Sequence, residues 1–313
     1  MLYYLLKRLL ATIPVMLVVA VFIFLLLRLT PGDPAAMIAG DYASEAQVAE
    51  IREKLGLNEP ILVQFGIWIG NTLQGDLGES FFFKKQVTDL ILARIEPTLS
   101  LSTITIVLTV LIAVPLGVIS AYRQGSWLDR IVVGFSVLGF SIPVFVIGFG
   151  LIYVFSLELG WFPVQGYKRL GDGFGGWISH LILPAVALSI IFVAFIARMT
   201  RTSVLEVLSE DYIRTARAKG QTETKVLVRH ALKNAAVPIV TVIGFAFAIL
   251  IGGVVVTESV FNIPGLGLLT VDAVLNRDFP TIQAVVLLFS LIYVLINLLI
   301  DLSYTVLDPR IRY

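Results

Sequence analysis

Six long apolar segments, separated by polar ones, dominate the sequence. Each holds about 20 consecutive residues, which is the length an α-helix needs to cross the hydrocarbon core of a bilayer. The predicted spans are residues 9–27, 99–121, 131–155, 178–197, 237–257 and 282–300. The first follows Lys7 and Arg8 but is too long for a signal peptide, and no small-residue cleavage site follows it. The pattern therefore predicts an all-α, polytopic membrane protein with six transmembrane helices.

The positive charges predict the orientation. Six spans put both termini on one side, and placing them in the cytoplasm puts 14 of the 23 Lys and Arg residues there. The central loop, residues 198–236, alone holds eight of them. Because cytoplasmic loops carry an excess of Lys and Arg, we expect a multi-pass protein of the cytoplasmic (inner) membrane with both termini cytoplasmic.

The composition excludes several classes of function. Charged residues make up 14% of the chain and apolar ones 58%, as expected for a polytopic membrane protein. There are no cysteines and two histidines, and no GxxxxGK[ST] phosphate loop occurs. We therefore expect no catalytic or metal site, no bound cofactor and no ATPase of its own. The net charge of +1 gives no indication of nucleic acid, and none is expected as a partner.

A polar segment of about 65 residues follows the first span. It leaves the membrane in the turn-rich "LTPGDPA". A capping box at Ser44–Gln47 and a stop at Gly56 predict a short helix. Pro60 begins an apolar helix containing Trp68, which fits the membrane surface. After the loop "GDLGESFFF", the stretch "QVTDLILARIEP" predicts a third amphipathic helix. The segment either caps the helix ends or docks an outer partner, and both readings stay open.

Small and polar residues form faces along several spans. Span two aligns Thr98, Ser102, Thr105 and Thr109, span five Thr241, Gly244, Ala248 and Gly252, and span six Gln283, Ser290, Tyr293, Asn297 and Asp301. Such faces either pack helices together or line a wet path. Pro143 in "GFSIPVF", with Ser141 beside it, and Pro184 predict kinks that serve gating or curvature. The candidate path or packing residues are Ser102, Thr105, Ser141, Pro143, Thr241, Gly244, Ser290, Tyr293 and Asn297.

The central loop has the pattern of two short helices joined by a glycine. Residues 212–219 predict the first, with Glu210 and Asp211 at its positive end and Gly220 as its C-cap. The second runs from about Thr222 to Asn234, with Val228, Ala231, Leu232 and Ala235 on one face and Arg229 and Lys233 on another. Anionic lipid could hold a basic loop. A rigid, capped element is better suited to a groove on a soluble partner.

This loop resembles the EAA loop of permease subunits of binding-protein-dependent ABC importers, which reads E-A-A-x-x-x-G. The matching positions are Arg214, Thr215, Ala216 and Gly220, with arginine in place of the glutamate. "RTARAKG" resembles the dipeptide, oligopeptide, glutathione and nickel branch. "TPGDPA", "GDLGES", "ESVFNIPGLG" and "LDPRIRY" match that branch in the same order, over nearly the whole chain. The residues expected to couple to an ATPase are Glu210, Asp211, Arg214, Thr215, Ala216, Arg217, Lys219 and Gly220.

The resemblance implies an ABC importer type I permease fold. It implies an N-terminal helix (1–30), an outer segment (31–94), a five-helix permease core (95–304) containing the coupling loop (198–236), and a cytoplasmic tail (305–313). The implied partners are a second homologous permease forming a heterodimer, two ABC ATPase subunits that use ATP and Mg, an extracytoplasmic solute-binding protein and membrane lipid. The implied function is a non-catalytic permease for di- and oligopeptides or glutathione.

Other functions fit less well. A secondary transporter predicts inverted repeats and intramembrane charges, and the spans carry no charged residue in their apolar centres. An integral membrane enzyme needs an ionisable cluster, and Glu258 and Asp272, which flank "NIPGLG", have no His, Cys or carboxylate partner at useful spacing. The same permease role for nickel or another small solute remains an alternative, although the spans offer no metal ligands.

Overall fold

Every regular element in the described part of the chain is helical. The computed structural model describes residues 2–29, 34–39, 43–54, 56–139 and 141–307. The helices of the first half are α1 (Leu2–Leu29), α2 (Pro34–Ala39), α3 (Glu45–Lys54), α4 (Ile61–Leu73), α5 (Val87–Tyr122), α6 (Trp127–Leu138) and α7 (Val144–Leu151). Those of the second half are α8 (Phe174–Leu208), α9 (Asp211–Ala218), α10 (Glu223–Lys225), α11 (Ala236–Gly253), α12 (Val255–Val260), α13 (Leu266–Leu275) and α14 (Phe279–Leu307). π-helical turns continue α7 through Ile152–Glu158 and α10 through Val226–Leu232.

Four of the described helices are long and apolar enough to cross a membrane. They contain Arg8–Leu26, Val87–Tyr122, Phe174–Leu208 and Phe279–Thr305. A fifth is counted if Glu223–Leu232 and Ala236–Gly252, bent by 65° at their break, form one span. The first, second, fourth and sixth predicted spans are therefore confirmed as continuous helices, and the all-α prediction holds throughout the described residues.

The third predicted span is wrong as a continuous helix. Residues 131–155 are divided between α6, α7 and the π-helical turn after it, and Gly139 and Ser141–Pro143 are not helical. Pro143 is the N-cap of α7, with φ −60° and ψ 138°, and has no N–H to continue a helix. At Gly139 a Cβ would lie 2.9 Å from the Ala194 Cβ, so the chain approaches α8 closely where α6 ends. The fifth predicted span is also interrupted, since α11 ends before Val254 and α12 begins after it.

The predicted third amphipathic helix of the outer segment is wrong as a separate element. Residues 87–97 are the first turns of α5, which runs on through Pro97 and Pro115. Packing on both sides of Pro97 accounts for this, because Leu90 and Ile91 lie in one apolar cluster and Leu101 in another. A proline in a helix removes one backbone hydrogen bond, which such packing outweighs.

The predicted helices after Ser44 and Pro60 are present. Gln47 N donates to Ser44 Oγ, and Ser44 N donates to Gln47 Oε1, which completes the capping box of α3. Gly56 has φ +61°, and α4 begins directly after Pro60. The predicted exit turn at residues 30–33 and the end of the tail, residues 308–313, lie outside the described residues.

Backbone contacts divide the chain into two units. Unit 1 comprises Pro97–Pro264 and the described part of Leu295–Tyr313, and unit 2 comprises Leu2–Glu96 and Gly265–Val294. In unit 2, Val87 and Ile91 form a buried cluster with Leu266, Leu269 and Val285.

Helix α8 is the centre of unit 1. It contacts α6, α7, α11 and α12, and its buried residues run from Leu181 to Val204. A Cβ at Gly117 of α5 would lie 2.6 Å from the Thr200 Cβ of α8. This glycine therefore allows the two helices to touch near the C-terminal end of α8, where the predicted central loop starts.

A buried carboxylate fastens the loop "GDLGESFFF" within unit 2. Asp278 accepts hydrogen bonds from the Ser80 hydroxyl, from Phe81 N at 3.1 Å and from the Thr281 hydroxyl at 2.7 Å. Three hydrogen bonds on one buried carboxylate leave little of its desolvation cost uncompensated. The loop is thus held against the start of α14.

Candidate functional site

The predicted corner at Gly220 is present. Helix α9 ends at Ala218, and Gly220 follows with φ +76°. Gly220 N donates to Arg217 O at 2.9 Å and Gln221 N to Ala216 O at 3.2 Å, which is the hydrogen-bond pattern of a Schellman motif. The glycine thus ends α9 as predicted and turns the chain towards α10.

An ion pair spans this corner. Arg217 Nε donates to Glu223 Oε1 at 2.9 Å, and its Nη2 donates to Glu223 Oε2 at 3.2 Å. Both side chains are partly exposed, so the pair contributes little to overall stability. Its two-point geometry nevertheless fixes α9 relative to α10. The sequence interpretation placed Arg217 at the negative end of α9 and did not find Glu223.

The two loop helices rest on an apolar seat. Ile213 and Ala216 of α9 are buried together with Val226 and Ala231 of the π-helical turn. The same cluster contains Ala121, Val204, Ala235 and Ile239, from the ends of α5, α8 and α11. One face of the loop is therefore buried against three helix ends, and the opposite face is free for a partner.

The predicted apolar face of the second loop helix needs one correction. Val228 is 59% exposed, whereas Val226 and Ala231, five positions apart, are fully buried. The cause is the π-helical turn, whose i→i+5 hydrogen bonds place residues five apart on the same face. Arg229 and Lys233 are exposed as the pattern indicated.

Seven of the eight predicted coupling residues are exposed. Those are Glu210, Asp211, Arg214, Thr215, Arg217, Lys219 and Gly220, whereas Ala216 is buried in the seat. Arg214 Nη1 donates to Asp211 Oδ1 at 3.3 Å, and the Thr215 hydroxyl donates to Asp211 O. With Tyr212 these residues form one polar surface at the corner, which we call the corner surface. Its coupling role stays a prediction.

A buried ion pair, missed in the sequence, lies at the base of the loop. Arg201 of α8 contacts Asp129 of α6 through two nitrogens, and its Nη2 lies 2.9 Å from Asp129 Oδ2. The Ser120 hydroxyl and Gly125 N donate to the same carboxylate. The Arg201 guanidinium, helped by these donors, holds the pKa of Asp129 well below its usual range.

The polar face of α5 is buried. Thr98, Ser102, Thr105 and Thr109 are all fully buried, so they share one inward face as predicted. Thr98 donates to Glu258 Oε1 at 2.6 Å, although the two residues are 160 positions apart in the sequence. Glu258, for which the sequence indicated no His, Cys or carboxylate partner, is therefore hydrogen-bonded to a threonine in the fold. The hydroxyls of Ser102, Thr105 and Thr109 have no hydrogen-bond partner among the described residues.

The remaining path or packing candidates are dispersed. Ser141 and Pro143 are exposed in the α6–α7 break, and Ser290 is partly buried with its hydroxyl bonded to Val286 O. Tyr293 and Asn297 are exposed on α14.

Thr241 and Gly244 lie where α11 meets α14. The Thr241 and Tyr304 hydroxyls are 2.7 Å apart. A Cβ at Gly244 would overlap Ile300 Cγ1 and Cδ1. The packing alternative left open by the sequence thus has direct support at Gly244.

No group of three His, Asp or Glu side chains in the described ranges could hold a metal ion.

The comparisons with known proteins identify the family. Residues 113–313 match the family described as the binding-protein-dependent transport system inner membrane component, and residues 1–102 match its N-terminal region. The chain belongs to this family. It is an all-α, multi-pass inner-membrane permease subunit without catalytic activity, and such subunits work with ATPases, a partner permease and a binding protein.

Relatives resemble the permease over its whole length. A probable peptide ABC transporter permease of Sinorhizobium fredii is 58% identical over 310 residues, covering 99% of both chains. A putative peptide transport system permease of Brucella abortus is 46% identical over 308 residues, covering 98% of both. A glutathione transport system permease of Salmonella choleraesuis is 46% identical over 313 residues, covering 100% of both.

The fold has a solved counterpart. An inward-facing structure of the MetNI methionine ABC transporter matches with a TM-score of 0.58 and 20% identity, covering 70% of this chain and 96% of that one. This match supports the expected type I permease fold.

Proposed function

We propose that the permease forms, with a second homologous permease, the path by which di- and oligopeptides or glutathione enter across the cytoplasmic membrane. The observation that carries the proposal is the full-length similarity to peptide permeases at 58% and 46% identity and to a glutathione permease at 46%. Peptides and glutathione share an amide backbone with charged ends, so one class of path serves both.

One ABC ATPase subunit docks on the corner surface, and the second docks on the corresponding loop of the partner permease. The ATPases use ATP and Mg, and this chain binds neither ATP nor Mg. The support is the rigidity of that surface. The Schellman motif, the Arg217–Glu223 pair and the apolar seat fix its orientation on α5, α8 and α11. A partner that pushes on a rigid element moves the helices beneath it, whereas a flexible loop would absorb the displacement.

The corner surface faces the cytoplasm, as do both termini. The charge count supports this orientation. An enzyme reporter active only in the cytoplasm should work when fused after Tyr313 and stay silent when fused at Gly78. The reverse pattern would overturn both the orientation and the docking of ATPases on this surface.

The solute-binding protein delivers the substrate to the opposite side, where the outer segment lies. In that segment, Ser80 and Phe81 are held by Asp278 of unit 2, which gives a docking protein one fixed loop. Replacing residues 44–73 by a short linker should weaken stimulation of ATP hydrolysis by the binding protein and leave basal hydrolysis unchanged.

The buried face of α5 lines the path. Leaving a hydroxyl unpaired in an apolar interior costs about 1–3 kcal/mol. Ser102, Thr105 and Thr109 each carry such a hydroxyl. Water in an open state of the path would satisfy all three.

Because the chain has no cysteine, Ser102→Cys and Thr105→Cys can be labelled singly, with buried Leu101→Cys of the same helix as the control. A polar thiol reagent should react at the first two during turnover.

The deciding experiment is uptake by the reconstituted importer. The permease, its partner permease, both ATPases and the binding protein are placed in vesicles, and accumulation of labelled dipeptide, oligopeptide, glutathione and Ni²⁺ is compared. ATP-dependent uptake of a peptide or of glutathione supports the proposal. Uptake of Ni²⁺ alone would contradict it.

A further inference from the structure

Helix α4 is attached to the end of the first span. Phe24 of α1 packs on Phe65 and Trp68 of α4, with ring centroids 5.1 and 5.7 Å apart. Four residues further along α1, Arg28 Nε donates to Gln64 Oε1 at 2.9 Å. The Arg28 guanidinium also lies over the Phe24 ring, 3.5 Å from its centroid. These contacts hold one face of α4 at the level of the last turn of α1.

The opposite face of α4 is apolar and exposed. Leu62 and Leu73 are each 82% exposed, and Val63 and Ile67 are about half exposed. No charged residue occurs from Ile61 to Leu73. With 13 residues the helix is too short to cross a bilayer, since about 20 are needed.

The position of α4 on α1 indicates that lipid covers the exposed apolar face of α4. On α1, Val18 and Phe22 are exposed, and on a transmembrane helix such side chains face lipid. Phe24 lies about 3 Å and Arg28 about 9 Å beyond Phe22 along the axis, at 1.5 Å per residue. The apolar face of α4 is therefore held at the depth where the apolar surface of α1 ends, at the edge of the hydrocarbon core. Arg and Trp, here Arg28 and Trp68, are typical of that depth.

We propose that α4 is an interfacial helix whose Leu62–Leu73 face is inserted among the lipid acyl chains at the membrane surface. An amphipathic helix at this depth buries its apolar side about 5–10 Å below the headgroups. Its function is to anchor the polar segment between the first two spans to the membrane plane. The proposal depends on neither the substrate nor the orientation.

The test measures the depth of spin labels. Single cysteines at Leu62 and Leu73 of the otherwise cysteine-free chain are labelled in the assembled importer, reconstituted in phosphatidylethanolamine and phosphatidylglycerol vesicles. Collision rates with oxygen, which partitions into lipid, are compared with those of a water-soluble nickel chelate. Val18→Cys on α1 is the lipid control, and Ala49→Cys, exposed on the charged helix α3, is the water control.

The oxygen-to-nickel collision ratio at both α4 positions should be several-fold above that of Ala49→Cys and approach that of Val18→Cys. Two results would overturn the proposal. Ratios equal to the water control mean that α4 is solvated. Low collision rates with both reagents mean that a protein surface, such as the second permease, covers the face.

Discussion

Arg201 and Asp129 form a two-point ion pair that joins the base of the central loop to the first turn of α6. The Arg201 side chain is about one-fifth exposed and that of Asp129 is nearly buried. Asp129 also accepts from Ser120 and Gly125, so the end of α5 and the α5–α6 turn are held by the same carboxylate. The base of the loop is therefore connected to α5 and α6 as well as to α8.

Breaking this pair should destabilise the permease. Removing one partner of a fully buried ion pair costs about 3–5 kcal/mol because the other charge stays buried, and the cost is smaller here because Arg201 is partly exposed. Asp129→Asn or Arg201→Gln should each lower the melting temperature of the detergent-solubilised importer by about 5–10 °C. The double variant should lose less than the sum of the single losses. Asp211→Asn, which breaks the exposed Asp211–Arg214 pair, is the matched control and should melt like the wild type. Fully additive losses would show that the pair is not coupled.

The same pair predicts a pH dependence. Since the pKa of Asp129 is depressed in the folded protein, its stabilising contribution is complete above the unfolded pKa of about 4 and is lost as the pH falls below it. The gap in melting temperature between wild type and Asp129→Asn should stay constant from about pH 6 to 8 and shrink below about pH 4. A gap that changes between pH 6 and 8 would assign the effect to another group.

Hydropathy predicted where the chain is apolar but not where its helices break. The spans at α1, α5, α8 and α14 were found because about 20 apolar residues have few other places to be buried. The kink at Pro143 was predicted, but the end of α6 at Leu138 was not, because it lies inside a largely apolar run. Pro97 and Pro143 show why. Pro97 lies inside the packed helix α5, whereas Pro143 begins the new helix α7, and only tertiary contacts distinguish the two cases.

In the central loop, the sequence predicted the features that depend on residues close together in the chain. Acids at the start of α9 and Gly220 at its end gave the corner and the sign of φ. The π-helical turn has no comparable signal, so Val228 was assigned to the wrong face. Arg201 and Asp129 are 72 residues apart, beyond any periodicity. The Ser126-x-x-Asp129 spacing resembles a capping box and could have indicated the start of α6, but not the arginine that Asp129 binds.

Gly244 should tolerate a side chain only when Ile300 is shortened. A Cβ there would overlap the end of the Ile300 side chain, and overpacking of this kind costs about 1–3 kcal/mol. Gly244→Ala should lower the melting temperature of the importer, and Gly244→Ala with Ile300→Ala should lose less than the sum of the two single losses. Gly252→Ala, on the same helix with no neighbour within 4 Å, is the control. Equal melting of both alanine variants would show that Gly244 is not a helix contact.

Gly220→Val should stop uptake without unfolding the permease. Gly220 has φ +76° and open space around its Cβ position, so the substitution is strained by its backbone alone. That strain is about 1–2 kcal/mol. Relieving it requires a change of φ, which re-aims α10 relative to α9 and breaks the Arg217–Glu223 geometry.

The matched control is Gly75→Val, which has φ +86° and equally open space but lies in the outer segment. Membrane level, co-purification of the ATPases, and substrate imported per ATP hydrolysed are measured for both. We expect normal membrane levels in both variants, a lower import-to-hydrolysis ratio only in Gly220→Val, and a milder effect of Lys219→Ala, which removes one exposed charge. Normal uptake by Gly220→Val would show that the corner does not couple ATP hydrolysis to transport, and an equal loss in Gly75→Val would assign the effect to backbone strain in general.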